Sequence, residues 1–211
     1  MKSTLLNMTA VLFGITLVAS AGVGVVNMIT EEPIAQAKEA ATVAALNEVI
    51  ESFDATTQQE LTIDEIPVTV YTATNGGTVS GYAVQTMTKL GFGGIVRLMV
   101  GFTTDGAVYN INVLEQSETP GLGTKMTDEG NPLITSIQGK QLTDRLAVRK
   151  DGGEVDALTA ATISSRAYVD AVNRAWEAYK QVTATAAADA ASGATQPAND
   201  EPEAQEGGQK D

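Results

Sequence analysis

The feature that most constrains this chain is an uncharged, apolar stretch from Leu5 to Ile29, close to its amino terminus. A helix needs about 20 predominantly apolar residues to cross the hydrocarbon core of a membrane, so the stretch is long enough to span it once. Lys2 precedes the stretch, whereas Glu31 and Glu32 follow it. Because positive residues favour the cytoplasmic side, we predict that residues 1–30 are a transmembrane anchor and that the rest lies outside the cytoplasm.

A second interpretation of the same stretch is a cleaved signal peptide. Ala19, Ser20 and Ala21 form the small-residue pattern of a cleavage site. The apolar sequence continues past that site, which favours an anchor that is retained. Both interpretations deliver the same domain to the same side of the membrane.

The composition excludes several kinds of site. The chain has no Cys and no His, and its net charge is -13. Thiol catalysis, iron–sulfur ligation, Ser-His-Asp catalysis and His-ligated zinc or haem are therefore excluded. The negative charge repels nucleic acid, so no nucleic-acid partner is expected. Redox chemistry would need an organic cofactor or a hard ion held by carboxylate and hydroxyl ligands.

The middle of the chain has the period-two pattern of an antiparallel sheet. Val68 and Val70 predict one strand and residues 79–84 a second, joined by a turn at residues 75–77, which contain two glycines. The same reasoning predicts an amphipathic helix over 33–50, strands over 95–102, 108–114 and 142–150, and a short helix over 133–137.

A strongly patterned helix is predicted to begin near Ser164 or Ser165, whose side chains could cap it. Apolar residues from Tyr168 to Tyr179 recur at the spacing of one buried helical face, and Trp176 is interpreted as part of the core. The helix is predicted to end near Val182.

These elements predict an α+β domain over residues 31–182, with an antiparallel sheet and flanking helices behind a single anchor. Residues 183–211 contain almost no large apolar side chain and are rich in acidic residues. We predict a disordered acidic tail there, because such a sequence cannot bury enough apolar surface to fold.

Hydroxyl-bearing and small residues are concentrated just before the patterned helix, from Asp156 to Ser165. The first turn of a helix exposes unpaired N–H groups and the positive end of the helix dipole, which favours an anion. Ala160 and Ala161 leave room for a ligand, and Arg166 could donate to a phosphate. An ordinary Ser/Thr helix cap explains the same residues, so residue chemistry alone leaves both interpretations open.

Three segments resemble those of a known family. Residues 156–162 read D-A-L-T-A-A-T and match the flavinylation pattern D-x-x-S/T-G/A-A-T of FMN-binding domains. Residues 117–125 read S-E-T-P-G-L-G-T-K, close to the family's S-E-T-P-G-L-G-x-K, and residues 91–97 match a third segment. The chain is thus similar to the FMN-binding G subunit of the Rnf electron-transport complex and, more distantly, to the C subunit of the sodium-translocating NADH:quinone reductase.

The resemblance implies a flavoprotein in an ion-translocating complex of the inner (cytoplasmic) membrane. The complex passes electrons between ferredoxin and NAD. In that family a flavin transferase joins FMN, through its phosphate, to the last threonine of the pattern, which is Thr162 here. The implied partners are the other subunits of the complex, the flavin transferase and the membrane. The resemblance also implies flavin contacts from Asp156, Thr159, Ala160, Ala161, Glu118, Thr119, Gly121, Leu122, Gly123 and Lys125.

Two alternatives accompany this interpretation. Residues 189–195 also fit the pattern, but no helix or domain is predicted after Thr195, so Thr162 is preferred. Ala160 also departs from the Gly that is usual at its position, although the pattern tolerates Ala. The rival function, compatible with the composition, is a membrane-tethered binding or scaffold module that carries no cofactor.

Overall fold

The computed structural model describes residues 2–192, and residues 193–211, including Thr195, lie outside that range. Five strands form one antiparallel sheet in the order of the chain, which confirms the predicted α+β fold with flanking helices. The elements are α1 (Lys2–Val49), β1 (Ala55–Ile63), β2 (Ile66–Asn75), β3 (Thr78–Thr88), β4 (Val96–Thr103), β5 (Val108–Glu115), α2 (Pro132–Ile137) and α3 (Thr162–Ser192).

Both faces of the sheet are covered, which follows from the alternation of side chains along its strands. On β4, Leu98 and Val100 pack into the larger core with α3, whereas Met99 packs against the end of α1. Tyr179 of α3 stacks on Phe102, with ring centroids 4.8 Å apart. The central strands therefore hold α3 on one face of the sheet and the last turns of α1 on the other.

Helix α1 continues from the apolar stretch onto the sheet without a break, rather than forming the separate helix predicted over 33–50. Within the described part of the chain, it is the one helix that is long and apolar enough to cross a membrane. Its apolar residues up to Ile29 are exposed, whereas Val49 is fully buried. The helix passes the sheet end at Arg97 and Glu115 before Val49 reaches Gly101. The amino-terminal part of α1 thus projects from the sheet end at which β4 begins and β5 ends.

Two predictions about strands were incomplete or wrong. Strand β1 was not predicted, because its side chains are nearly all exposed and its turn to β2, at Asp64 and Glu65, adopts positive φ without a glycine. Residues 142–150 were predicted as a strand, but they form an irregular segment. The Asn173 side chain accepts from the Leu146 N–H at 2.7 Å and donates to the Leu146 carbonyl at 2.9 Å. These two hydrogen bonds replace those that a neighbouring strand would make with Leu146.

The limits of α3 also differ from the prediction. The helix begins at Thr162 rather than near Ser164, and it continues past Val182 to Ser192. The first part of the predicted tail is therefore helical, and the rest lies outside the described residues. Trp176 is buried, as predicted.

Candidate functional site

The three segments that carry the sequence patterns meet around one cleft at the start of α3. They are the Phe92 turn (residues 89–95), the glycine loop (residues 117–125) and the threonine segment (residues 156–162). The cleft has a volume of about 290 Å³. It is lined by Phe92, Thr119, Leu122, Gly123, Ala160, Ala161, Thr162, Ile163 and Ser164.

The buried carboxylate of Glu118 in the glycine loop connects that loop to the Phe92 turn and to the start of α3. One of its oxygens accepts from the Gly93 N–H at 3.0 Å, and the other accepts from the Ser164 hydroxyl. Glu118 therefore links the glycine loop to the Phe92 turn on one side and to the first turn of α3 on the other.

Glycines allow these segments to approach one another closely. A Cβ added at Gly93 would overlap the Ser117 carbonyl, and one added at Gly123 would lie 2.5 Å from the Ser164 hydroxyl and 2.8 Å from Glu118 Oε2. Neither position leaves room for a side chain. These two glycines are therefore needed for packing, while Gly121 has the positive φ of 75° that a tight turn requires.

The start of α3 leaves its amide groups open to the cleft. The Ala161 carbonyl accepts from the Ser165 N–H, so Ala161 occupies the N-cap position, where it has no polar side chain to cap the helix. The predicted capping by Ser164 or Ser165 was wrong, because Ser164 donates to Glu118 and Ser165 bonds to Leu158 and Ala161.

Consequently, the backbone N–H groups of residues 162–164 have no acceptor among the described residues. Thr162 is the first residue of α3, and its half-buried side chain lines the cleft without a hydrogen-bond partner in the described part of the chain. A hydroxyl group and unpaired amides thus face the same space, which is an arrangement suited to an anion.

Ala160 precedes this helix start with a φ of 59°, in the left-handed region. Ala160, Ala161 and Thr162 line the cleft, whereas Thr159 directly before them does not. The position at which the related pattern usually has Gly is therefore the one that needs a glycine-like conformation.

Arg166 does not point its guanidinium at the cleft, contrary to the prediction that it could donate to a phosphate. It donates to both carboxylate oxygens of Asp151, at 2.7 and 2.6 Å. These hydrogen bonds lower the pKa of Asp151 and raise that of Arg166. An anion in the cleft would therefore rely on backbone amides and the helix dipole.

Apolar side chains form a rim around the cleft. Phe92 is 67% exposed, Ile163 is 48% exposed and Leu122 is 38% exposed, although all three are large apolar residues. Leu90 and Ile95 continue this exposed surface along the Phe92 turn. A cleft that combines exposed apolar side chains with the unpaired amides at the start of α3 suits a ligand that has a flat apolar part and a phosphate.

Five of the predicted contact residues do not line the cleft: Asp156, Thr159, Glu118, Gly121 and Lys125. Asp156 instead pairs with Arg149, and its backbone N–H donates to the Ser136 hydroxyl at 3.0 Å. Its role in the structure is to hold the beginning of the threonine segment in place.

Phe92, Ile163 and Ser164 line the cleft but were not predicted to be part of the site. Phe92 lies in residues 91–97, one of the three segments that resemble the family, so the sequence contained a signal for it. Ile163 and Ser164 were missed because the helix was expected to start later.

A buried polar cluster ties α3 to the end of β3, from which the Phe92 turn begins. Arg174 donates to the Met87 carbonyl at 2.9 Å and to Asp170 at 3.0 Å, and the Thr88 hydroxyl also donates to Asp170, at 2.8 Å. The Leu90 N–H in turn donates to Thr88.

No group of three or more acidic residues suited to a metal ion occurs among residues 2–192.

Comparison with known proteins identifies similar chains. The FMN-binding domain family matches residues 91–177, which include all the residues that line the cleft. The G subunit of the ion-translocating oxidoreductase complex of Vibrio atlanticus (strain LGP32) is 37% identical over 171 residues, which are 74% of this chain and 82% of the relative. The protein of the same name from Shewanella loihica is 34% identical over 190 residues, 82% of this chain and 89% of the relative.

Proposed function

We propose, from the premise that this chain belongs to the family of G subunits of ion-translocating oxidoreductase complexes, that it relays electrons through an FMN joined covalently to Thr162. The chain is a flavoprotein subunit of an electron-transport complex, and its FMN-binding domain includes the whole cleft. Bound FMN supplies one- and two-electron chemistry, and the protein holds the flavin and adjusts its potential.

The residues of the cleft fit both ends of FMN. The unpaired amides of residues 162–164 and the positive end of the α3 dipole suit a phosphate, while the Phe92 and Leu122 side chains offer apolar surface to a flavin ring. The observation that carries the proposal is the position of Thr162. Its free hydroxyl stands at the first residue of the helix, beside the amides that would bind the phosphate.

Thr162 would hold the flavin through its phosphate, and a phosphate in that form would keep a negative charge for the unpaired amides of residues 162–164. The Ala161 cap leaves the amides unoccupied, so no side chain of the helix start competes with that anion. Thr162 acts as a tether without a redox role. A tether keeps the flavin on a domain that would otherwise lose it to the medium.

The proposed partners of the domain are the membrane and the other subunits of the complex. We place the domain outside the cytoplasm, with α1 in the inner membrane, and we expect a flavin transferase to act on it during maturation. The Phe92 turn follows β3 and the glycine loop follows β5, at the sheet end from which the apolar part of α1 projects. This arrangement supports a flavin near the membrane surface, where the distance for electron transfer to membrane-bound subunits is short.

The test is co-expression of the full chain with a flavin transferase, followed by denaturing electrophoresis and ultraviolet illumination of the gel. The wild-type band should fluoresce, because a covalent flavin survives denaturation. Thr162→Val should abolish the fluorescence, since valine keeps the shape and lacks the hydroxyl.

Thr195→Val is the matched control and should leave the band fluorescent. The opposite pattern would move the tether to Thr195. A dark wild-type band in the presence of active transferase would reject covalent attachment, and an absence of any bound flavin in the undenatured protein would favour the scaffold alternative.

A further inference from the structure

A buried acidic side chain beneath the cleft has no cationic partner. Glu118 is 4% exposed, and none of the ion pairs in the described part of the chain includes it. Its carboxylate is compensated by two donors, the Gly93 N–H and the Ser164 hydroxyl. Burying a carboxylate without a cation is costly unless donors satisfy it, so these hydrogen bonds are essential to its presence there.

We infer that Glu118 is a positioning residue of the flavin site, which holds the Phe92 turn against the first turn of α3 and whose negative charge lowers the reduction potential of the bound flavin. The inference rests on the proposed function, because it requires FMN in the cleft. It assigns to Glu118 a role other than the direct flavin contact that the sequence suggested.

The positioning role follows from where the two hydrogen bonds end. Gly93 belongs to the Phe92 turn, which supplies one apolar wall of the cleft, and Ser164 belongs to the helix turn that begins with Thr162. Neither segment is a strand of the sheet. Glu118 therefore joins the apolar wall to the amide groups and sets the spacing between them.

The electrostatic role follows from what separates the carboxylate from the cleft. Gly123 and Ser164 line the cleft, and a Cβ on Gly123 would lie 2.8 Å from Glu118 Oε2. Because Gly123 has no side chain, few atoms separate the Glu118 carboxylate from a ligand in the cleft. Reduction adds electrons to the flavin, and a nearby negative charge in a poorly solvated site makes that less favourable.

The experiment is a spectroelectrochemical titration of the full chain, flavinylated by co-expression and purified in detergent. Glu118→Gln keeps the length of the side chain, one acceptor oxygen for the Gly93 N–H and an amide that can donate to the Ser164 hydroxyl. Because it removes the charge, the flavin potential should shift to a more positive value. Glu51→Gln is the charge-matched control, because Glu51 is exposed beyond Ile50, at the opposite end of the sheet. It should leave the potential unchanged.

Ser164→Ala provides a second variant with an effect of opposite sign. Removing the hydroxyl donor leaves the Glu118 charge less compensated, so the potential should shift to a more negative value. An unchanged potential in Glu118→Gln, or shifts of the same sign in both variants, would overturn the electrostatic role.

The positioning role is tested by flavin loading and by the apoprotein. Glu118→Ala should reduce the in-gel fluorescence several-fold, and Glu118→Gln should restore it. In the protein without flavin, Glu118→Ala should accelerate hydrogen exchange at the Gly93 amide while the amides of Leu98 and Val100 stay protected. Unchanged loading and unchanged Gly93 exchange would overturn this role, whether or not flavin binds to the variants.

The failure of the proposed function would be seen separately, because it would leave the wild-type band dark. A fluorescent wild-type band combined with an unshifted flavin potential in Glu118→Gln would reject the electrostatic role of Glu118 and leave the proposed function standing.

Discussion

At the scale of single residues, Ala160 lines the cleft and has a strained backbone conformation. Its φ of 59° is unfavourable for a residue with a Cβ, whereas glycine adopts it readily. The strain is tolerated because Leu158, two residues before, and Ala161, directly after, are buried in the core and fix the path of the chain. An alanine here also leaves the cleft wall with one more methyl group than glycine would.

Ala160→Gly should therefore raise the free energy of unfolding of the apoprotein by about 1 kcal/mol. Denaturant unfolding monitored by Trp176 fluorescence measures this change. Ala167→Gly is the matched control in a buried, helical position, and it should lower the free energy of unfolding by about 1 kcal/mol. Destabilisation by both substitutions would contradict the left-handed conformation of Ala160.

The pair formed by Asp151 and Arg166 predicts a pH effect at the acidic end of the range. The Arg166 hydrogen bonds hold the pKa of Asp151 below its ordinary value of 3.8. Because the folded-state pKa is depressed, the contribution of the pair to stability is complete above 3.8 and is lost as the pH falls through the lower folded-state value. Both side chains are exposed, so the effect is screened by solvent.

Nuclear magnetic resonance titration of the Asp151 carboxyl group should give a midpoint below 3.8 in the wild type. In Arg166→Gln the midpoint should rise toward the ordinary value, while flavin loading should persist because Arg166 lies outside the cleft. A midpoint that does not move would show that Arg166 is not the cause of the shift.

At the scale of whole elements, the contact between α1 and β4 depends on one glycine. A Cβ on Gly101 would overlap the Val49 carbonyl and approach the Val49 side chain. The last turn of α1 thus packs directly on the backbone of the sheet, which a larger residue would prevent. The sheet needs this cover, because Met99, Ala83 and Ala73 on the same face are buried by it.

Gly101→Ala should lower the free energy of unfolding by about 2 kcal/mol, because either the strand or the helix end has to move. Thermal unfolding of the full chain in detergent, followed by Trp176 fluorescence, measures the loss. Gly24→Ala is the control within α1, since nothing lies within 4 Å of a Cβ there, and it should leave the unfolding of the domain unchanged. Equal stability of the two variants would contradict the close helix–sheet contact.

At the scale of the whole molecule, the orientation of the domain can be tested cleanly because the chain has no native Cys. Gln59 is exposed on the edge strand β1, far in sequence from the residues of the cleft. In spheroplasts that express the protein, Gln59→Cys should react with a membrane-impermeant maleimide if the domain lies outside the cytoplasm.

Ser3→Cys is the control on the other side of the apolar stretch and should be labelled only after detergent is added. Labelling of Ser3→Cys alone in intact spheroplasts would reverse the proposed orientation. Labelling of both would indicate that α1 does not cross the membrane.

Much of the architecture and part of the site can be derived from the order of residues. Period-two apolar residues predict β2 to β5, because each of these strands buries side chains and so needs them apolar. The exception is β1, whose exposed side chains require no pattern and whose turn at Asp64 and Glu65 lacks the expected glycine. Pairing with β2 through the backbone, rather than its side chains, makes it a strand.

The sequence by itself determined that a helix begins close to Thr162 and that two glycine-containing segments accompany it, because turns and helical periods are local properties of a chain. Only the tertiary structure decided what those segments do. It brings the Phe92 turn to the cleft, turns Arg166 toward Asp151 and buries Glu118 between Gly93 and Ser164. The physical reason is that hydrogen bonds between segments depend on distances across the fold, which no pattern within a single segment can specify.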